Sequence, residues 1–389
     1  MRILMVIPSI NLLTGGPANS TVLRARELAA RGHHVQLFST LWPELGRPVE
    51  ETIEQNGLQI KLFPAVSLPG LSHVPYSKAL VVELTQVLHE FEVVHVASLW
   101  NPLITRVMMI LRRRRVPYVL TPHGMMDPIV FSRHWIGKTC WAWLFERRNV
   151  ESASLVIFTS EGEESKAKAR GWRIPKSLVL PNVIELSQGQ NLPPRNQIEL
   201  KYPQLNAKEV VAFVGRINWV KNLEILVAAI ARLRARGRDV ALLCAGPDTD
   251  GYQAGLERLA DDLGMHDAVV FTGMLEGKEL LAAFARADTL ALVSQKENFG
   301  RAAAEALAAG VPVVLSDGVD LGKHWPAPPV WRVQQNSDSI ADGLNAALDY
   351  SRVAGLPANK ARNLAQQEWG NSYIESLISS YQTIVSERA

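Results

Sequence analysis

The sequence predicts two successive doubly wound α/β domains, each Rossmann-like, with a parallel sheet covered by helices on both faces. Three observations carry this reading. The chain has 389 residues, beyond the roughly 250–300 at which a single hydrophobic core stops growing. Short apolar runs rich in β-branched residues alternate with amphipathic stretches, and strands apolar at nearly every position belong in a sheet buried on both faces. A polar, proline-rich stretch, SQGQNLPPRNQIELKYPQ at 187–204, interrupts that rhythm, which then restarts.

In the first half the strand candidates are RILMVIPSI, HVQLFST, LQIKLFPA, EVVHVAS, PYVLTPHG, SLVIFTS and LVLPN. Between the first two, ANSTVLRARELAARG has helical spacing, with Leu23, Ala25, Leu28 and Ala29 on one face and Gly32 as its stop. After the linker come VVAFVGR, ALLCAG, VVFTGM, LALVSQ and PVVLSD, again with helices between. The expected domains are 1–185 and 186–365, with a final amphipathic helix running from Gln366 through Tyr373 and Tyr381 over 366–389. In such sheets ligands bind outside the carboxyl ends of the strands, so chemistry is sought just after each run.

Composition narrows the class. The chain is 47% hydrophobic and 20% charged, with a mean hydropathy near zero, as in a soluble globular protein and unlike disordered, collagen-like or coiled-coil chains. Cys140 and Cys244 cannot build a disulfide framework and have no Cys or His at metal-ligand spacing, so a reducing cytosol is expected. The opening MRILMVIPSI reads as a buried first strand and not as a signal peptide. No apolar run approaches the roughly 18–20 residues that span a bilayer. The net charge of +3 is unevenly spread: residues 1–185 hold 21 basic and 15 acidic residues, and 186–389 hold 20 and 23. A basic first half and a mildly acidic second half suggest different partners.

The most informative segment is Ser294-Gln295-Lys296-Glu297-Asn298-Phe299-Gly300-Arg301, running into AAAEALAAGVPVVLSD. Glu297 falls in the loop after a strand, where it can bond a ligand hydroxyl. Glu305 falls about five residues into the next helix, roughly 7–8 Å further along its axis. That span suits one carboxylate at a sugar and one at a ribose. Phosphates would lie between them over the helix N-terminus, near the N–H groups of Gly300 and Arg301. A single such glutamate is ordinarily just solvated; the whole ordered segment argues otherwise.

Other landmarks follow strands too. Val214-Gly215-Arg216-Ile217 and then Lys221-Asn222 space two cations so that both can reach one diphosphate. Thr14-Gly15-Gly16-Pro17 suits a loop lying close to a sugar or phosphate, while the dinucleotide fingerprint G-x-G-x-x-G is absent. His123 ends the strand in Leu120-Thr121-Pro122-His123-Gly124. Ala245-Gly246-Pro247 and Thr272-Gly273-Met274-Leu275 are further loops after strands. Asp248-Thr249-Asp250 looks like a metal-holding Asp-x-Asp, but is more simply a turn with an aspartate capping the next helix. Arg112–Arg115, and the mixed aromatic and basic run from Phe131 to Arg148, suit either a solvated face or an anionic lipid surface. No nucleic-acid-binding module accompanies them.

From Glu297 to Glu305, with Ala-Ala-Gly-Val-Pro-Val-Val downstream, the sequence resembles the family 4 (group 1) retaining nucleotide-sugar glycosyltransferases, and the landmarks keep that family's order over essentially the whole chain. The resemblance implies the GT-B fold, two Rossmann-like domains facing across a cleft, with the C-terminal helix crossing back to the first. It implies transfer of a hexose from a nucleotide diphosphate sugar, with UDP-glucose the first choice on family frequency. The acceptor would be a hydroxyl of a glycan or lipid-linked saccharide, in exopolysaccharide or envelope polysaccharide synthesis.

By the same resemblance Arg216 and Lys221 hold the diphosphate, Glu297 orients the sugar, Glu305 takes the ribose, and His123 contacts the transferred hexose. Gly15 and Gly16 form a loop between donor and acceptor, Gly215 opens the phosphate-binding turn, and Gly246, Met274 and Leu275 border the base. Asn298, Phe299, Gly300 and Arg301 complete the donor site. No metal or other cofactor is expected, and the leaving phosphate itself would take the acceptor's proton in a front-face substitution. Two departures from the family stand out: Asn222 where glycine is usual, and Pro181-Asn182-Val183-Ile184 where Asn-Gly is usual. A sugar-nucleotide epimerase and a non-catalytic sugar-nucleotide-binding scaffold are the alternative readings. The expected location is cytoplasmic, with the basic first domain a candidate for contact with the inner face of the plasma membrane.

Overall fold

The computed structural model describes residues 1–11, 15–42, 54–55, 57–68, 71–127, 135–248, 250–353 and 355–387. The chain folds as two compact units, Met1–Val183 with Asn371–Ala389, and Ile184–Gly370. Each is Rossmann-like.

In the first unit eight strands make one sheet, in the order Ser177–Val179, Leu155–Phe158, Tyr118–Thr121, Val93–Ala97, Arg2–Ser9, His34–Leu41, Leu58–Pro64 and Glu54–Gln55. All neighbours are parallel except the last pair. Val93–Ala97, Tyr118–Thr121 and Leu155–Phe158 are buried at every residue, which is why their sequences carry no polar alternation. The helices start where side chains satisfy the first-turn donors. Asn101 Oδ1 accepts from Leu103 N at 2.9 Å and Ile104 N at 3.3 Å, with Pro102 at the first helical position of Pro102–Arg113. Ser160 caps Glu161–Lys168, a helix with acids in its first turn and lysines in its last, as the helix dipole favours.

The amphipathic helix expected from Gln366 onward is in fact two, Leu356–Trp369 and Asn371–Ser386, broken at Gly370. Gly370 takes an extended backbone, with ψ −162°, and glycine is the ordinary residue that helices tolerate least apart from proline. Trp369 packs in the core of the second unit. Tyr373, Ile374, Leu377, Tyr381 and Ile384, one face of the last helix, pack in the core of the first. The final helix therefore completes the first unit, burying there a stripe that would otherwise face water.

The second unit holds six strands, all parallel, in the order Val269–Gly273, Val240–Ala245, Glu209–Val214, Thr289–Leu292, Val313–Ser316 and Val330–Val333. Strand order reverses between Glu209–Val214 and Thr289–Leu292, so the loops leaving their carboxyl ends diverge and leave a crevice. The helix Arg301–Ala309 buries Ala303, Ala304, Ala306, Leu307, Ala308 and Ala309. Its alanines let it sit close to the sheet. Among the described residues no helix is long and apolar enough to cross a membrane.

Candidate functional site

In the second unit the loops after Glu209–Val214 and Thr289–Leu292 emerge side by side at the switch point and are bonded to each other. Gln295 N donates to Val220 O at 2.8 Å, and Gln295 Nε2 donates to Asn222 Oδ1 at 3.0 Å. The Lys221 ammonium forms an ion pair with the Glu297 carboxylate. Asn222 sits in the left-handed region at φ 56°. Asparagine tolerates that conformation better than most residues, which explains how it serves where the family usually has glycine. Arg216 is exposed, and no hydrogen-bond partner is recorded for it among the described residues. Asn218 Oδ1, on the same loop, is buried without a partner among the described residues.

Glu297 is held by its backbone as well: its N–H donates to Gly318 O at 2.9 Å, and its carbonyl accepts from Asp320 N at 2.8 Å. Asn298 Oδ1 is buried and has no partner among the described residues. Gly300, at φ 72°, starts the helix Arg301–Ala309 with no side-chain cap. A Cβ there would lie 2.8 Å from Leu292 Cδ2, but it is the left-handed backbone that calls for glycine. The uncapped first turn leaves N–H groups for a ligand. Glu305 is engaged by Arg301, whose Nε donates to Glu305 Oε1 at 2.7 Å, while Arg301 Nη1 is buried without a partner among the described residues.

The remaining expected residues divide. Gly215 N donates to Ala245 O at 2.9 Å and Gly246 N to Gly273 O at 2.8 Å, so three strand ends form one rim. Met274 is exposed there, whereas the Leu275 and Phe299 side chains lie in cores. Phe299 packs edge-on against Trp369, 6.1 Å between ring centres, so only its backbone is available to a ligand. Asp248 spends its carboxylate on the next helix, accepting from Tyr252 N at 2.9 Å and Gln253 N at 3.1 Å; Thr249 lies outside the described residues. Among the described residues no group of three or more metal-ligating side chains gathers.

In the first unit Gly15 and Gly16 open the helix Gly16–Ala30, with Gly15 at φ 79°, and Thr14 lies outside the described residues. His123 follows Tyr118–Thr121 in the left-handed region at φ 51°. Ser98 and Trp100, after the neighbouring strand Val93–Ala97, also have positive φ, at 90° and 57°. Such strain persists only where the surroundings enforce it. The turn is pinned by the buried Glu163, which accepts from Gly124 N at 2.5 Å and from Thr159 N at 2.7 Å. Both ring nitrogens of His123 are buried without a partner among the described residues. Burial, and then the charge of Arg24, lower its pKa to about 3, so the imidazole is neutral at ordinary pH.

Behind it lies a polar network that the sequence reading missed. Arg24 is fully buried. Its Nε and Nη2 donate to Tyr373 Oη at 3.1 and 3.0 Å, and its Nη1 donates to Thr121 Oγ1 at 3.3 Å. His95 bonds Tyr381 Oη through Nδ1, and Thr121 Oγ1 through Nε2 at 2.7 Å. Among the described residues no carboxylate is paired with Arg24. One signal was available: Arg24 shares the buried helical face of Thr21, Ala25 and Leu28, where a charge is out of place.

A carboxylate, cations and a helix N-terminus thus gather at the switch point of a parallel sheet, where doubly wound α/β proteins bind their ligands. Comparison with known families carries this further. The model described as "Glycosyl transferase 4-like domain" matches residues 15–183, and "Glycosyl transferases group 1" matches residues 195–364. The chain belongs to the group 1, family 4 glycosyltransferases and has the GT-B fold.

Among similar sequences, an uncharacterized glycosyltransferase of Methanocaldococcus jannaschii is 33% identical over 144 residues, 36% of each chain. The D-inositol 3-phosphate glycosyltransferase of Mycolicibacterium smegmatis is 32% identical over 200 residues, 46% of this chain and 41% of that one. These matches span less than half of the relatives they align with. The Nocardia farcinica enzyme of the same name is 27% identical over 96% of this chain and 86% of its own. Among solved structures, Anabaena HepE in complex with UDP and glucose superposes with a TM-score of 0.76 at 20% identity, covering 98% of this chain and 99% of that one. Sucrose-phosphate synthase from Thermosynechococcus elongatus gives 0.78 at 21% identity over 100% of both.

Proposed function

We propose that the protein is a retaining hexosyltransferase that takes a nucleotide diphosphate sugar, UDP-glucose in the first instance, and glycosylates a hydroxyl of a glycan or lipid-linked saccharide. The observation that carries this is the Lys221–Glu297 pair at the switch point, one turn of chain before an uncapped helix N-terminus. The donor, arriving there, gives Lys221 a diphosphate and Glu297 a sugar hydroxyl in place of each other. Arg216 adds a second, unengaged cation to the diphosphate, Glu305 takes the ribose, and the base lies along the rim at Gly246 and Met274. The similarity to structures solved with UDP, and with UDP-glucose, supports the choice of donor.

In the reaction the bond from the anomeric carbon to the β-phosphate oxygen breaks, and one to the acceptor oxygen forms on the same face. The acceptor's proton passes to the departing diphosphate. Catalysis then rests on positioning and on stabilising charge that grows on the leaving group. No metal or further cofactor is required in this account, because cations and backbone donors serve the diphosphate. The first unit takes the acceptor, and its neutral His123 stands in the turn after the strand Tyr118–Thr121.

The basic surplus of residues 1–185 supports contact of the first unit with an anionic lipid surface, the inner face of the plasma membrane in this account. So do the exposed Trp143 (73%) and Leu144 (50%), which stand beside exposed Arg147 and Arg148. Incubation with UDP-glucose, GDP-glucose and ADP-glucose, scored for nucleoside diphosphate release, tests the donor reading. It also separates a transferase from a scaffold, which releases none, and from an epimerase, which changes the sugar and leaves the diphosphate attached.

A further inference from the structure

The loop that brackets Glu297 is itself gripped from beneath. Residues 317–322 follow the strand Val313–Ser316 and contribute the Gly318 carbonyl and the Asp320 N–H that hold the Glu297 backbone at 2.9 and 2.8 Å. The two segments are in close contact: a Cβ on Gly318 would lie 2.3 Å from Gln295 O and 2.6 Å from Ser294 O. Ser316 Oγ donates to Ser294 O at 2.7 Å, and Gln335 Nε2 donates to Gln295 O at 3.2 Å. Any shift of 317–321 is therefore passed to Glu297.

What fixes 317–321 is Arg332, the one charged residue of the strand Val330–Val333. Its Nη1 donates to Ser316 O at 3.2 Å and to Val319 O at 2.8 Å, and its Nη2 donates to Leu321 O. The last carbonyl of the strand Val313–Ser316 and two carbonyls of the segment after it thus converge on one guanidinium. A planar fork of donors can do this, and the single ammonium of a lysine cannot reach all three. Burial lowers the Arg332 pKa, opposed by the charges of Asp320 and Asp317. The Asp320 carboxylate, 3% exposed, is also paired with Lys323 at 2.7 Å.

We propose that Arg332 is a positioning residue for the donor's sugar: by gathering the Ser316, Val319 and Leu321 carbonyls it fixes the loop that brackets Glu297, and so sets where that carboxylate meets the sugar. The proposal rests on the reading of Glu297 as the sugar-binding carboxylate.

Two measurements test it. Hydrogen exchange, read by mass spectrometry on peptides spanning 294–300 and 317–322, needs no ligand. Arg332→Gln speeds exchange in both by about tenfold or more while the strand Glu209–Val214 is unchanged, and Arg332→Lys recovers little of the loss. Unchanged exchange over 294–300 overturns the proposal.

The second measurement titrates UDP and UDP-glucose into wild type, Arg332→Gln, Glu297→Gln and the double variant. Arg332→Gln weakens UDP-glucose about tenfold, leaves UDP within about twofold, and costs little more when Glu297 is already changed. Equal losses for UDP and UDP-glucose, or losses that add, overturn it. Gly318→Ala presses on the same contact from the other side and gives the same split, which keeps the test decisive if Arg332→Gln does not fold. If Glu297→Gln binds UDP-glucose like wild type, the reading of Glu297 falls and this proposal with it. The exchange result reports separately whether Arg332 holds the loop.

Discussion

Lys221 and Glu297 are ion-paired with each other. Both charges are partly shielded, with side chains 17% and 24% exposed, and the pair links the two loops that leave the switch point. A site that holds opposite charges together in this way is neutralised until a ligand separates them. In the proposed function it then presents a cation to phosphate and a carboxylate to hydroxyl. The pair clasps the two loops together.

In the proposed function, replacing Lys221 by Ala removes the cation opposite the leaving diphosphate; it also leaves Glu297 without its ion-pair partner. Turnover falls by at least about tenfold, a loss of transition-state stabilisation of about 1.4 kcal/mol or more. Steady-state release of UDP from UDP-glucose measures it. Rates within about twofold of wild type contradict the assignment.

Glu305→Ala acts on the nucleotide instead. The variant weakens UDP and UDP-glucose alike in calorimetric titration, because the ribose is common to both. Loss of the carboxylate also frees Arg301 from its ion pair. A loss confined to UDP-glucose would mean that Glu305 touches the sugar.

Acid pH is expected to destabilise the first unit. Burial holds His95 well below its ordinary pKa, reinforced by the charge of Arg24. It brings His123 down to about 3. Unfolded histidines titrate near 6.5. Below about pH 6.5 the unfolded chain therefore binds protons that the folded chain refuses, and stability present above that pH is lost as pH falls toward 3. The slope contributed approaches about 1.4 kcal/mol per pH unit for each histidine. Urea unfolding between pH 7 and 5 checks this, and His123→Asn lowers the slope by one histidine's share. A flat profile contradicts it.

The last helix is a structural part of the first unit. Leu377 is fully buried there, and Leu377→Ala costs about 2–5 kcal/mol by loss of burial and the cavity left behind. Thermal unfolding shows the shift. No change would mean that this face is not packed as described.

Activity is expected to survive chelation. Asp248 is committed to the amides of Tyr252 and Gln253, and no described cluster suits a metal. Turnover lost in EDTA and restored by Mg²⁺ or Mn²⁺ contradicts the proposed mechanism.

Much of this was legible in the chain. Fully buried parallel strands write themselves as unbroken apolar runs, so both sheets could be read from LLCA, VVLS and their like. The segment from Glu297 to Glu305 was legible because strand, loop, glycine and helix must follow in that order for a switch-point site. The break at Gly370 was not, because one glycine inside an amphipathic pattern is compatible with a continuous helix until packing decides. Phe299 was grouped with ligand-facing residues by its neighbours, yet its ring is turned into the core. Arg24, His95 and Arg332 were missed for another reason. Each works through partners dozens to hundreds of residues away, or through backbone carbonyls that no side-chain motif records.

The central claim is that a hexose leaves a nucleotide diphosphate with its anomeric configuration kept. Proton NMR of the first sugar product formed from UDP-glucose, taken before mutarotation, tests it most directly. The account predicts that the α-anomer, as free glucose or as a glucoside, accumulates first. A β-anomer as first product, or no UDP-dependent product with any acceptor sugar, would contradict it.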